Sequence, residues 1–175
     1  MNRKVILYIA MSLDGFIAKS DGDISFLSQV EQEGEDYGYS AFTEMVDTII
    51  LGRKTYDKIL SMGFDAYYGD RSVFVLTRSP HPGTDKITFY SGSLPELISS
   101  LKGQTGKHIY CDGGAKTVNR LLQDKLIDEL IISIIPVLLG DGIRLFGKSF
   151  PEQKLNLAGS KSFEKGLVQL HYIRT

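Results

Sequence analysis

A single cysteine among 175 residues, Cys111, leaves no partner for an internal disulfide and suits a reducing compartment, so the cytoplasm is expected. On a buried strand it reads as core packing rather than a nucleophile. The three histidines, His81, His108 and His171, fall on separate elements with no i, i+4 pair and no accompanying cysteine pair, and no metal site is expected. No Ser-His-Asp arrangement suggests itself. Long apolar runs are missing too. The longest, Leu130 to Leu139, is broken by Ser133 and Pro136 and falls short of the roughly 20 residues that cross a bilayer, so no membrane partner is expected. The opening Arg3-Lys4-Val5-Ile6-Leu7 leads to Ser12-Leu13-Asp14 without a small-residue cleavage site and reads as a first strand. A net charge of -1 with dispersed Lys and Arg gathers no polyanion, which argues against nucleic acid.

Hydrophobic residues at 42% and charged ones at 23% are ordinary for a globular chain, so one packed core is within reach. No repeat, low-complexity tract or linker divides residues 1–175, and a single domain is expected. Val5 to Met11 reads as a buried strand opening into a polar loop over Ser12 to Asp23. Tyr39, Phe42, Met45 and Val46 share one helical face and predict a helix over Asp36 to Val46. Asp47 to Leu51 is β-branched and apolar, Gly52 breaks it, and helical spacing resumes over Arg53 to Met62. Ser72 to Leu76 is a further strand, followed by a polar loop with Pro80 and Pro82 and a weaker strand at Ile87 to Tyr90. Ser93-Leu94-Pro95-Glu96 opens a helix with a capping serine, a first-turn proline and an acid at the third helical position, and Gly103 ends it.

Lys107 to Cys111 is another buried strand, followed by the Gly113-Gly114 turn and a helix to about Asp124. Glu129 to Leu139 then reads as one long strand, Gly140-Asp141-Gly142 as a turn, and Leu155 to Phe163 with Leu167 to Ile173 as a hairpin about Lys165-Gly166. Alternating strands and helices imply parallel pairing, whereas the hairpin is antiparallel; the expected fold is a three-layer α/β/α domain with a mixed, mostly parallel sheet. The long apolar strand and the hairpin carry more apolar residues than one face needs, and a homodimer is expected.

Chemistry concentrates where strands end. In Gly52-Arg53-Lys54-Thr55 a glycine permits close backbone approach, the following helix offers unpaired N–H groups, and a hydroxyl and two cations accompany them. That composition suits a phosphate, or equally a plain strand-to-helix turn with solvated basic residues. Gly113-Gly114-Ala115-Lys116-Thr117 repeats the arrangement, and two such turns in one small sheet tell more than one. Neither is a Walker loop or a G-x-G-x-x-G fingerprint. Thr77-Arg78 leaves a strand with a hydroxyl and a guanidinium, suited to an adenosine 2′-phosphate or simply exposed on a loop. Asp14, at the exit of the first strand, would either orient a substrate or structure its turn.

In this order Ser12 to Ala18, Gly52 to Tyr56, Gly113 to Ala115, and Leu126-Ile127-Asp128-Glu129-Leu130 leading to Pro136 to Gly140 resemble the dihydrofolate-reductase fold. Within it, they resemble the reductase domain of bacterial riboflavin biosynthesis and its stand-alone relatives. The resemblance implies NADPH as cofactor, with Gly52, Arg53, Lys54 and Thr55 on its phosphates, Thr77 and Arg78 at its adenosine end, and Gly113, Gly114, Ala115, Lys116 and Thr117 on its pyrophosphate. It implies hydride transfer to a small heterocycle or pyrimidine-ribose compound. Dihydrofolate reduction, and nucleotide binding without catalysis, are the alternatives. Dihydrofolate reductase places a carboxylate on its first helix, for which Asp36 or Glu35 is only a loose match; Asp14 and Asp36 are the catalytic candidates. That enzyme's loop tryptophan has no counterpart, and Phe26 stands near its place. The zinc signature H-x-E…P-C-x-x-C of the deaminase that accompanies the riboflavin-pathway domain is absent, so a bifunctional enzyme is not expected.

Overall fold

In a computed structural model, which describes every residue except Met1, Asp65, Ala66, Pro80 and Ser149, the chain forms a three-layer α/β/α domain. Pro80, read into the loop after the Ser72 to Leu76 strand, therefore lies outside the described residues. The main sheet holds β1 (Val5–Ser12), β3 (Val46–Gly52), β4 (Ser72–Leu76), β5 (Ile87–Tyr90), β6 (His108–Gly113), β7 (Glu129–Ile135), β9 (Leu155–Ser162) and β10 (Val168–Arg174). Their spatial order is β5-β4-β3-β6-β1-β7-β10-β9, parallel from β5 to β7 and closed by an antiparallel hairpin. This is the mixed, mostly parallel sheet predicted from the pattern.

Alternation along β1 divides the core in two. Val5 and Leu7 point to one face, where they meet Leu94, Leu97, Ile98 and Leu101 of α3 (Leu94–Gly103) and Val118, Leu121 and Leu122 of α4 (Ala115–Gln123). Ile6 points to the other, with Phe42 of α1 (Tyr39–Glu44) and Tyr56 of α2 (Arg53–Ser61). Each such side chain contributes roughly 1.5–3 kcal/mol on leaving water. One slip of register would turn every one of them to the wrong layer.

Three elements differ from expectation. The helix predicted over Asp36 to Val46 is reduced to α1, because Tyr37 and Gly38 take positive φ angles of 59° and 85° and form a turn ahead of it. The long strand predicted to Leu139 stops at Ile135, since Pro136 has no N–H to continue a ladder. The loop predicted over Ser12 to Asp23 contains β2 (Phe16–Ala18), which pairs with β8 (Ile143–Arg144) in a separate two-stranded sheet, and a 3₁₀ helix follows at Ser25–Val30.

Candidate dinucleotide site

The connection after β3 runs through α2 to β4 on one side, whereas the connection after β6 runs through α4 to β7 on the other. Adjacent parallel strands whose connections depart in opposite directions leave a crevice at their carboxyl ends, where open α/β sheets hold ligands. Leu51 pairs with Gly113 across this point, so the two glycine turns lie side by side. Gly52 also pairs with Leu76 of β4, which brings Thr77 and Arg78 to the same edge. On the other flank of β6, β1 delivers Asp14. All four segments singled out in the sequence thus share one edge, in the sheet order β4, β3, β6, β1.

Both helices that start here lack the usual closure. Neither Gly52 nor Gly114 offers a capping side chain, and neither first turn holds an acid. By contrast, α3 is capped by Ser93, whose hydroxyl accepts from Glu96 N, and it carries that acid in its first turn. The amide donors at the starts of α2 and α4 therefore face the crevice side with partial positive charge and no anion of the protein's own. The turns are joined directly: Gly114 N donates to Thr55 Oγ1 at 2.9 Å. Little room is left between them. A Cβ at Gly52 would lie 2.8 Å from Thr117 Oγ1, one at Gly114 2.9 Å from Thr55 Oγ1, and Gly113 holds φ +101°. Glycine is required at these three positions by approach and backbone angle.

The cations are arranged around this cradle. Lys54 and Lys116 are exposed on the first turns. Arg53 donates from Nε to Asp57 at 2.6 Å and lies 5.2 Å from the Phe89 ring centre. Thr77 forms a local turn in which its hydroxyl accepts from Ser79 N, and Arg78 stands exposed beside it. Thr117 is buried, so its hydroxyl packs against Gly52 instead of standing free.

The two carboxylates proposed for catalysis are occupied by the backbone. Asp14 Oδ1 accepts from Ser12 Oγ at 2.6 Å and from Leu139 N at 3.1 Å, and Oδ2 accepts from Gly140 N at 2.7 Å. These bonds, the serine first, hold its carboxyl at about 2. Through these bonds Asp14 ties the loop after β1 to the segment after β7. Asp36 is exposed, and its carboxylate accepts from Ser40 N and Gly38 N; hydrogen bonding to the Ser40 side chain first, and then to these amides, lowers its pKa. It closes the turn before α1. Glu35 is likewise turned to Tyr37 N, and the residue that α1 buries is Phe42. The loose match of Asp36 or Glu35 to a helix-borne carboxylate is corrected accordingly.

Sequence reasoning passed over Asp112. It ends β6 immediately before Gly113, accepts from the Tyr110 hydroxyl at 2.7 Å through Oδ1, and is raised to about 6 by burial. The signal was present: an acid at alternating register with Tyr110, closing an otherwise apolar strand at a glycine turn.

Comparison with known proteins accords with this geometry. Residues 68–169 match the RibD C-terminal domain family. The Bacillus subtilis protein YwjB, itself uncharacterized, is 47% identical over 177 residues, spanning 99% of both chains. A Shewanella sp. PV-4 protein assigned to riboflavin biosynthesis superposes with TM-score 0.91 at 34% identity, over 98% of this chain and 99% of that one. Dihydrofolate reductase of Enterococcus faecalis, solved with NADP(H), shares the fold at TM-score 0.66 and 17% identity, over 100% of this chain and 98% of its own. The protein belongs to the RibD C-terminal domain family and has the dihydrofolate-reductase-like fold.

Proposed function

We propose that the protein is an NADPH-dependent reductase acting on a small heterocyclic or pyrimidine-ribose compound. The observation that carries this reading is the pair of uncapped helix N-termini, bonded to each other through Thr55 and Gly114 N at the β3/β6 crevice. A dinucleotide has two linked phosphates, and two adjacent sets of unpaired N–H groups match that chemistry better than a single phosphate does. The contacts that a Cβ at Gly52 or Gly114 would make with the Thr117 and Thr55 hydroxyls show how tightly each turn packs against the other's helix. Gly52 to Thr55 and Gly113 to Thr117 would hold the phosphates. Thr77 and Arg78 would meet the adenosine end, where a guanidinium favours the extra phosphate of NADPH over NADH.

When bound, NADPH supplies a hydride. The chain's own contribution is alignment. The Asp14 bonds to Leu139 N and Gly140 N fix the loop after β1 at the same sheet edge, and β2 extends it against β8. The solved neighbour bound to NADP(H) and the relative assigned to riboflavin biosynthesis favour the same chemistry. Fluorescence titration should show NADPH binding more tightly than NADH, with Gly52→Val abolishing both. Wild-type protein that leaves NADPH fluorescence unchanged at millimolar concentration would end this reading.

A homodimer is proposed on a separate observation. The outermost strand β9 is exposed along its length and carries Leu155 and Leu157, which are 39% and 57% accessible. A free edge with apolar side chains invites pairing with a second copy.

A further inference from the structure

One side chain links the second glycine turn to the loop after β1. Asn119 lies in the second turn of α4, where its Nδ2 donates to Ala115 O at 2.6 Å and to Leu145 O at 2.8 Å, and its Oδ1 accepts from Gly147 N at 2.7 Å. Both amide hydrogens and the oxygen are engaged. The amide fits only this way round, since turning it over would set its oxygen against two carbonyls. Gly147 leaves it just enough room: a Cβ there would lie 3.0 Å from Asn119 Oδ1. Asparagine is a poor choice inside a helix, because its side chain competes for backbone groups. Here that competition is directed at another segment of the chain.

The bonds continue beyond Asn119. Leu145, whose carbonyl it holds, is fully buried and donates from its own N–H to Gly15 O at 3.0 Å. Arg144, one residue earlier, donates from Nη1 to Asp14 O at 3.2 Å, lies 4.5 Å from the Phe16 ring centre and pairs with Phe16 between β2 and β8. Ala115, Asn119, Leu145 and Gly15 thus form one line of hydrogen bonds from the first residue of α4 to the loop after β1. Gln153 Nε2 donates to Leu122 O at 2.9 Å near the other end of α4, so the chain that follows β8 grips the helix along its length. The start of α4 has no capping side chain and no acid in its first turn, which leaves its N–H groups open to an anion. An anion held there fixes the first turn, and with it the Ala115 carbonyl that anchors Asn119.

We propose that Asn119 is a positioning residue through which phosphates bound at the start of α4 steady the loop after β1, by way of Leu145 and Gly15. The coupling is reciprocal, so an acceptor held with the help of that loop binds more tightly to the cofactor-loaded protein. The inference rests on the dinucleotide reading for its ligand and on the bonds above for its route. Backbone amide exchange on the full chain tests it with 2′-phospho-ADP-ribose, which carries the cofactor's phosphates but no nicotinamide to touch the loop. At saturation, exchange at the Leu145 N–H should slow by about tenfold in the wild type. The Arg174 N–H, bonded to Asp128 O at the opposite edge of the sheet, should not change. Asn119→Ala should still bind the probe, within about tenfold of the parent, yet lose the slowing at Leu145. Asn119→Asp, which keeps the acceptor for Gly147 N but has no donor for the two carbonyls, should lose it too. A purely structural Asn119 would raise Leu145 exchange equally with and without the probe, so slowing that survives in Asn119→Ala would overturn the proposal. So would unchanged Leu145 exchange in wild-type protein that calorimetry shows to have bound the probe. Should Asn119→Ala fail to fold, that wild-type comparison still decides. No binding of the probe would strike the dinucleotide reading and this inference together, whereas binding without slowing at Leu145 strikes the inference alone.

Discussion

Thr55→Val separates the bond between the two glycine turns from the packing around it. Valine keeps the shape of threonine but offers no acceptor, so the Gly114 N–H, held at 2.9 Å by Thr55 Oγ1, loses its partner inside a part-buried turn. Leaving such a donor unpaired costs roughly 1–2 kcal/mol at partial burial. For a chain of this size that corresponds to a fall in Tm of about 2–8 °C. The same change frees the start of α4 from that of α2, and NADPH affinity should drop about tenfold, which corresponds to about 1.4 kcal/mol. Thr55→Ser keeps the hydroxyl and should stay near the parent in both respects. Thermal unfolding by circular dichroism and NADPH fluorescence titration read the two effects. A Thr55→Val protein with parental melting and parental NADPH affinity would refute the claim that this bond organises the site.

Other expectations test separate parts of the account. Asp112 is raised from 3.8 to about 6, so the folded state holds a proton that the unfolded state releases. Its contribution is therefore least costly below pH 4 and becomes destabilising as pH rises through 6, by about 3 kcal/mol in all. Asp112→Asn should flatten that part of the stability profile measured by urea unfolding, and an unchanged slope between pH 4 and 6 would contradict it. Asp14 lies on the opposite side of the same rule: its carboxyl is lowered to about 2, so the loop it holds should loosen as pH falls from 4 towards 2. Asp14→Ala should speed hydrogen exchange at Leu139 and Gly140, and equal exchange rates would deny the tie. Arg78→Gln should weaken NADPH by about tenfold, the loss of one charge-assisted bond, and leave NADH unaffected. Light scattering should give the mass of a dimer at micromolar protein; a monomer would remove β9 as an interface.

Local signals located most of the fold. Strands β3, β4 and β5 stood out as short β-branched and apolar runs closed by polar or glycine residues, and Ser93 with Glu96 marked the start of α3. Where the sequence misled, the deciding interaction was either distant or a competitor of the helix. Pairing of Phe16 with Arg144 joins segments too far apart for periodicity to register, so β2 passed for loop. Asp36 reads as a helical residue by spacing, yet its carboxylate bonds Gly38 N and Ser40 N and fixes a turn instead. The glycine turns were legible because they need a particular residue type. Asp112 was not, because its character comes from burial beside Tyr110 and near phenols that distant parts of the chain contribute.

The most direct test of the dinucleotide site is an amide-resolved NMR titration of the full chain with NADPH. The account predicts concerted shifts at the N–H groups of Lys54, Thr55, Lys116 and Thr117, with Arg78 following for NADPH and not for NADH. Shifts confined to the opposite edge of the sheet, around Arg3, Lys102 and Asp128, or none at millimolar NADPH, would contradict it.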